Sequence, residues 1–158
     1  NMTKRIDVGE KAPEIRATTN SGRSLDSTAQ LGKTYVVMFF PAVESPGCTL
    51  QACQLRNEYD EIRELGVEVF GVSHDSPAAQ AAFAAHHRLE YPLISDPAGT
   101  LHRAFGITRW THPFAVLSGG KSRSTFVIGP DGRVLAAWYG VPSVGHAQRL
   151  LNFLQKTL

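Results

Sequence analysis

Residues 35–65 read YVVMFFPAVESPGCTLQACQLRNEYDEIREL, and the hydrophobic pattern changes at Pro41. Tyr35–Phe40 is a continuous apolar run rich in β-branched and aromatic residues, as expected of a strand buried on both faces. From Thr49 to Leu65 apolar residues recur at helical spacing, and Gly66 is a suitable end for that helix. These residues therefore predict a buried strand, a short loop and a helix with one apolar stripe.

The alternation of strand and helix patterns continues along the chain. Val67–Val72 and Tyr91–Ser95 predict two further strands, and Ser76-Pro77 predicts the start of an Ala-rich helix that ends near His87. The other predicted elements are an N-terminal hairpin around Asn20–Gly22, a turn and brief helix over Asp96–Phe105, a hairpin of Ser124–Ile128 with Arg133–Trp138, and an amphipathic C-terminal helix over Ala147–Leu158. This order predicts an α/β fold in which helices flank a central mixed β-sheet, parallel in its first half and antiparallel at the later hairpin.

The composition narrows the class of protein. A chain of 158 residues, of which 42% are hydrophobic and 19% charged, fits a single domain over residues 1–158 that folds in water. The formal net charge of +2 is too small and too scattered to predict a nucleic-acid partner. No run approaches the roughly 18 apolar residues of a membrane span, and Asn1–Glu10 lacks the apolar core of a signal peptide. We therefore expect a cytoplasmic protein with neither a nucleic-acid nor a membrane partner.

The two cysteines, Cys48 and Cys53, are the main chemical feature of the sequence. Cys48 lies at the predicted helix start, where unpaired N–H groups and the macrodipole favour a thiolate, and it extends the apolar stripe. Cys53 falls on the polar face, about 140° around the helix. Their Cα atoms are roughly 8–9 Å apart in an ideal helix, beyond the approximately 7 Å limit for a disulfide. A redox pair at this spacing therefore requires the first helical turns to unwind.

Other chemistries have weaker support in the sequence. The pair His86-His87 is adjacent and expected to face different directions on a helix, and the other four histidines have no ligand-like spacing, so no metal site is predicted. There is no Gly-rich phosphate loop between a strand and a helix, and no flavin or haem motif, so no cofactor is predicted. A buried, inert Cys48 and a spectator Cys53 remain the structural alternatives to a redox pair.

The residues around Cys48 resemble a known family. The run Pro41-Ala-Val-Glu-Ser45-Pro-Gly-Cys48 is similar to the peroxiredoxin signature Pro-x-x-x-Thr/Ser-x-x-Cys, in the form found in bacterioferritin comigratory proteins (PrxQ). That form adds Pro-Gly before the cysteine and a second cysteine five residues after it. Further segments that resemble the family are Val8–Pro13, Gly71–Ser76 and Ser122–Ile128, so the resemblance spans most of the chain.

The resemblance implies a single thioredoxin-like domain with thiol peroxidase activity on hydrogen peroxide or organic hydroperoxides. It implies that Cys48 is the peroxidatic thiolate and Cys53 the resolving thiol, joined in an intramolecular disulfide that a thioredoxin-like dithiol reduces. Ser45 is expected to hydrogen-bond the peroxide, Pro41 to shield the thiolate from water, and Arg123 to pair with the thiolate and the peroxide oxygens. The expected assembly is a monomer or a weak homodimer.

Three features depart from the family pattern. Ser45 stands where threonine is commoner, and Gln51 stands where this subfamily often has glutamate. The segment Thr108–Lys121 follows the family pattern poorly and is a candidate for shaping substrate access or a contact surface.

Two other functions also fit the residues. One is a protein disulfide oxidoreductase that exchanges thiols with other proteins. The other is a redox-regulated binding or chaperone module, in which unwinding near Cys53 exposes the apolar residues Leu50 and Leu55.

Overall fold

A computed structural model of the chain describes residues 4–107 and 123–158, so the divergent segment Thr108–Lys121 lies outside the described residues. The strands are β1 Arg16–Thr18, β2 Ser24–Asp26, β3 Tyr35–Phe39, β4 Glu68–Ser73, β5 Leu93–Ser95, β6 Ser124–Ile128 and β7 Val134–Trp138. The helices are α1 Pro46–Glu64, α2 Pro77–His87, α3 Thr100–Ala104 and α4 His146–Thr157, and a 3-10 turn spans Ser27–Gln30. This is the order that the sequence pattern predicts.

The central sheet has the strand order β5-β4-β3-β6-β7. β3 runs parallel to β4, and β4 runs parallel to β5, whereas β6 is antiparallel to both β3 and β7. β1 and β2 form a separate antiparallel hairpin near the N-terminus. The predicted mixed sheet with an antiparallel second half is confirmed.

β3 lies at the centre of the sheet, and all five of its residues are buried. Val36 and Met38 contribute to a core cluster with residues of α1, α2 and α4. Val37 and Phe39 contribute to a second cluster on the other face, together with residues of the N-terminal hairpin and the segment after α3. Since both faces of β3 are covered, its continuous apolar sequence follows from its position.

α1 buries the apolar stripe that the sequence predicts. The stripe residues Cys48, Ala52, Leu55, Tyr59 and Ile62 are all buried. The helix begins at Pro46, three residues before the predicted start at Thr49. Proline suits the first helical turn because it lacks an N–H that the helix would leave unpaired. The earlier start places Cys48 within the first turn of α1.

The pairing of β3 with its neighbours decides where the loop after β3 meets the rest of the sheet. Phe39 pairs with Val72 of β4 on one side and with Ser124 of β6 on the other. Because β6 runs antiparallel to β3, the residue that precedes Ser124 lies where the chain leaves β3. Arg123 therefore enters the sheet beside the loop that leads to α1.

No helix in residues 4–107 or 123–158 is long and apolar enough to cross a membrane.

His146 is a buried histidine at the first position of α4. Its Nε2 atom lies 2.8 Å from Oγ1 of Thr125 in β6, and its ring meets the Trp138 ring edge-on. Burial, together with the positive charges of Arg149 and Arg123, lowers the pKa of His146 from 6.5 to about 4. The folded protein therefore holds His146 neutral over the whole physiological range.

We expect His146 to make the folded state less stable as the pH falls. Its pKa is lower in the folded chain than in the unfolded chain, so the unfolded chain takes up the proton first and is favoured between about pH 6.5 and pH 4. Below about pH 4 this contribution levels off, at roughly 3 kcal/mol. Urea denaturation of wild type and of His146→Gln at pH 7.5 and pH 5 measures it. The variant should lose less stability than wild type, and equal losses would contradict the assignment.

Candidate active site

The loop between β3 and α1 is held by two hydrogen bonds on either side of Glu44. The backbone N–H of Val43 donates to Oδ2 of Asp75 at 2.9 Å, which ties the loop to the segment after β4. The hydroxyl of Ser45 donates to the carbonyl oxygen of Ala42 at 3.0 Å. Glu44 has a φ of 64°, a left-handed conformation that a residue with a side chain rarely adopts. The loop is therefore tightly turned just before α1 begins.

Cys48 is the third residue of α1, and its side chain is only 1% exposed. At that position the thiol lies beside the first N–H groups of the helix, which have no partner within the helix and carry the positive end of its dipole. Pro41, at the start of the loop, is also buried. The predicted position of Cys48, at a helix start and facing the interior, is confirmed.

The Arg123 side chain reaches the thiol from the position directly before β6. Its Nη2 atom lies 3.2 Å from Sγ of Cys48, and its Nε atom donates to Oε1 of Gln51 at 2.5 Å. The guanidinium also passes close to Gly47, where a Cβ atom would lie 3.2 Å from Nη2. A side chain at position 47 would therefore require the guanidinium to shift by a few tenths of an ångström. The structure brings together Cys48 and Arg123, which are 75 residues apart in the chain.

Gln51 is a site residue that sequence reasoning noted only as a departure from the family pattern. It lies one turn after Cys48 on α1 and is 1% exposed. Because arginine has only donors, the amide oxygen of Gln51 must face Nε of Arg123. The Gln51 Nε2 atom makes no hydrogen bond to any residue that the structure describes. Gln51 therefore orients the guanidinium through a neutral hydrogen bond, without the charge that a glutamate would bring.

Cys53 lies on the same helix, but its surroundings differ from the solvent-facing position expected from the helix geometry. The side chain is half-buried, and Sγ lies 3.8 Å from Nδ1 of His87 at the end of α2. The pattern of α1 alone could not reveal this contact, because it depends on how α2 packs beside α1. Cys48 and Cys53, which both lie within the described residues, are free thiols.

His86 and His87 also differ from the sequence expectation. Their rings lie 4.5 Å apart with a tilt of 31°, so the expectation that they face different directions is wrong. Oε1 of Glu44 lies 3.6 Å from Nδ1 of His86 and 3.5 Å from Nε2 of His87. The two histidines occupy the last turn of α2, which ends at Arg88 in a left-handed conformation. The loop before α1 brings Glu44 to that helix end.

Comparison with known proteins shows which family the chain belongs to. Residues 8–137 match the model of the AhpC/TSA family. The chain is 31% identical to peroxiredoxin Bcp of Bacillus subtilis over 95% of this chain and 96% of that protein. Among solved structures, peroxidoxin BcpB of Mycobacterium tuberculosis is 30% identical and has a TM-score of 0.83, covering 98% of this chain and 99% of that one. The bacterioferritin comigratory protein of Xanthomonas campestris is 27% identical, with a TM-score of 0.81 over 95% and 98% of the two chains.

The chain therefore belongs to the AhpC/TSA family, whose members have a thioredoxin-like fold. Within that family it is similar to the Bcp and peroxiredoxin Q proteins, and it is a thiol-dependent peroxidase. The family implies a peroxide as substrate and a thioredoxin-type reductant. The fold and the family that the sequence motifs predict are both confirmed.

Proposed function

We propose that Cys48 is the peroxidatic cysteine of this peroxidase and that Cys53 resolves the oxidised form as an intramolecular disulfide. The observation that carries this proposal is the 3.2 Å contact between Nη2 of Arg123 and Sγ of Cys48 at the start of α1. A guanidinium and a helix N-terminus both favour a thiolate, and the thiolate is the nucleophilic form of cysteine. The second thiol lies five residues further along the same helix.

In the first step the Cys48 thiolate attacks one oxygen of the peroxide. The S–O bond forms as the O–O bond breaks, so Cys48 becomes a sulfenic acid and the other oxygen leaves, after taking up a proton, as water or an alcohol. Negative charge moves from sulfur to the leaving oxygen during this step. The Arg123 guanidinium has donors for both atoms, and it is positioned before the reaction begins.

Ser45 and Pro41 complete the proposed substrate site. Because the Ser45 hydroxyl donates to the carbonyl of Ala42, its lone pairs are left to accept a hydrogen bond from the O–H of the peroxide. Pro41, buried at the start of the loop after β3, shields the thiolate from water in the proposed site. Both roles follow the family resemblance, and the loop geometry supports them.

In the second step the sulfur of Cys53 attacks Sγ of Cys48 and the S–O bond breaks. The leaving hydroxide takes up the proton that the Cys53 thiol gives up, so one water molecule is released for each disulfide formed. The two thiols lie too far apart for this step while α1 is intact. Unwinding the first turns must break the contacts of Arg123 with Cys48 and Gln51, and the contact of Cys53 with His87. It must also break the hydrogen bond that the Tyr91 hydroxyl donates to the Ala52 carbonyl at 3.1 Å.

In the third step a dithiol partner of the thioredoxin type supplies two electrons and two protons, which restores both cysteines and oxidises the partner. The structure of the Xanthomonas campestris relative was described for its alkyl peroxide reduction activity. This supports organic hydroperoxides as substrates beside hydrogen peroxide. Since resolution is intramolecular, we propose a monomer or a weak homodimer. The cytoplasmic location remains a prediction from the sequence.

Substitution of each cysteine should separate the first two steps. We expect Cys48→Ser to lose the fast reaction with stoichiometric hydrogen peroxide, because it removes the nucleophile. Cys53→Ser should keep that reaction and accumulate the sulfenic acid, seen by mass spectrometry as the addition of one oxygen atom. Stopped-flow mixing of reduced protein with peroxide measures the rates. A wild-type rate no faster than that of a free small thiol would instead favour the disulfide oxidoreductase.

The hydrogen bond between Gln51 and Arg123 should also affect the rate of the first step, the oxidation of Cys48. Gln51→Met removes the oxygen that accepts from Nε but keeps a similar volume, so the guanidinium loses its orientation and oxidation should slow. Gln51→Glu keeps an acceptor oxygen and serves as the matched control, with a rate closer to wild type. Arg123→Ala removes the donors themselves, and the rate should fall by about a hundredfold or more. Equal rates for Gln51→Met and Gln51→Glu would remove Gln51 from the site.

The reductant can be tested in a coupled assay. With hydrogen peroxide in excess, we expect NADPH oxidation through thioredoxin reductase and thioredoxin to depend on this protein and on Cys53. Glutathione with glutathione reductase, at the same concentration of electron equivalents, should support much slower turnover, because a dithiol completes disulfide exchange intramolecularly. Faster turnover with glutathione would contradict the thioredoxin assignment.

A further inference from the structure

The end of α2 and the loop before α1 place three metal-binding side chains around one point. Glu44, His86 and His87 each offer one metal-ligating atom, and these three atoms lie within 4.8 Å of one another. We propose that these three residues form a binding site for a divalent transition metal of the Zn²⁺ class.

The distances fit a shared ion better than hydrogen bonds. Glu44 Oε1 lies 3.6 Å from the His86 nitrogen and 3.5 Å from the His87 nitrogen, both longer than a normal N–H···O hydrogen bond. Two ligands that each lie about 2.0–2.1 Å from a tetrahedral Zn²⁺ are about 3.3–3.4 Å apart. The two distances to Glu44 need only small adjustments to reach that geometry, and the two histidine side chains, with ligand atoms within 4.8 Å of one another, would close around the ion.

His87 gives independent support for the site. Its side chain is 16% exposed, and its Nε2 atom, which faces Glu44, is buried without a hydrogen-bond partner in the described part of the chain. Leaving a buried polar atom unpaired is unfavourable, and a coordinate bond to a metal would give this nitrogen a partner. The ring is held in place by an edge-on contact with Phe83, one turn earlier on α2.

The donor set also limits which ion binds. Two imidazoles and one carboxylate suit Zn²⁺ and related ions such as Co²⁺, and they suit Mg²⁺ or Ca²⁺ poorly, since those ions prefer oxygen ligands. The side chains of His86 and Glu44 are 72% and 54% exposed, so the ion would be reached from solvent and would keep water as a further ligand.

Metal binding at this site would act on the resolving cysteine, a consequence that rests on the proposed function. An ion on Nε2 of His87 leaves the ring proton on Nδ1, which lies 3.8 Å from Sγ of Cys53. Glu44 is also next to Ser45, the residue that directly precedes α1. The ion would therefore hold both the loop and Cys53 in the folded arrangement, and it would slow disulfide formation because that step needs α1 to unwind.

The binding test uses untagged protein in which both cysteines are replaced, Cys48→Ser with Cys53→Ser, so that thiolates cannot hold the ion. We expect saturable binding of Zn²⁺ by calorimetry, and of Co²⁺ by its visible absorption, with one ion per chain. His86→Ala and Glu44→Gln should each weaken binding by at least about tenfold. Glu61→Gln, the same charge change at an exposed position near the other end of α1, should leave the affinity unchanged. Absence of saturable binding, or affinity insensitive to His86→Ala and Glu44→Gln, would overturn the site.

A second measurement tests the coupling on protein with both cysteines. At a free Zn²⁺ concentration ten times the dissociation constant, an ion that binds only the folded helix should slow disulfide formation about tenfold and leave the first oxidation of Cys48 unchanged. In Glu44→Gln the same Zn²⁺ concentration should not slow disulfide formation. Binding without slower disulfide formation would overturn the coupling. A chain that binds Zn²⁺ but lacks fast oxidation of Cys48 would overturn the proposed function and leave the metal site intact.

Discussion

The contact between the Arg123 guanidinium and Cys48 Sγ depends on how β3 and β6 pair. Phe39, the last residue of β3, lies opposite Ser124, the first residue of β6. The loop from β3 to α1 therefore begins beside Arg123, the residue just before β6. A shift of this register by one residue would turn the side chains of β6 to the opposite face of the sheet. The buried core on both faces of the sheet therefore holds the charge beside the thiol, and the reactive contact follows from the packing of the domain.

The two proposed steps require different conformations of α1. In the proposed first step α1 must be intact, because its N-terminus and Gln51 hold the thiol and the guanidinium in place. In the proposed second step its first turns must open so that Cys48 can meet Cys53. The buried apolar stripe that continues from Cys48 through Ala52 and Leu55 stabilises the closed form. The contacts of Gln51 and Cys53 therefore bear directly on the balance between the closed and open forms.

The end of α2 lies beside that opening region. His87 contacts Cys53 through one ring nitrogen and faces Glu44 through the other, so one side chain links α1, α2 and the loop between β3 and α1. Arg56 adds a hydrogen bond from α1 to the His87 carbonyl at 2.8 Å. An ion that binds His87 would act on the loop and on the proposed resolving cysteine together.

The sequence by itself determined the order of elements, the mixed sheet, the family and the buried face of Cys48, because each depends on local spacing along the chain. The sequence pattern predicts the start of α1 three residues too late. Pro46 and Gly47 are typical loop residues, although proline is also compatible with a first helical turn. Only the tertiary structure decided which residues meet across elements. Gln51 orients Arg123, Cys53 contacts His87, and the two histidines of α2 share Glu44 as a neighbour. Such contacts depend on the packing of α1, α2 and β6 against one sheet, and no periodicity within a single segment encodes them.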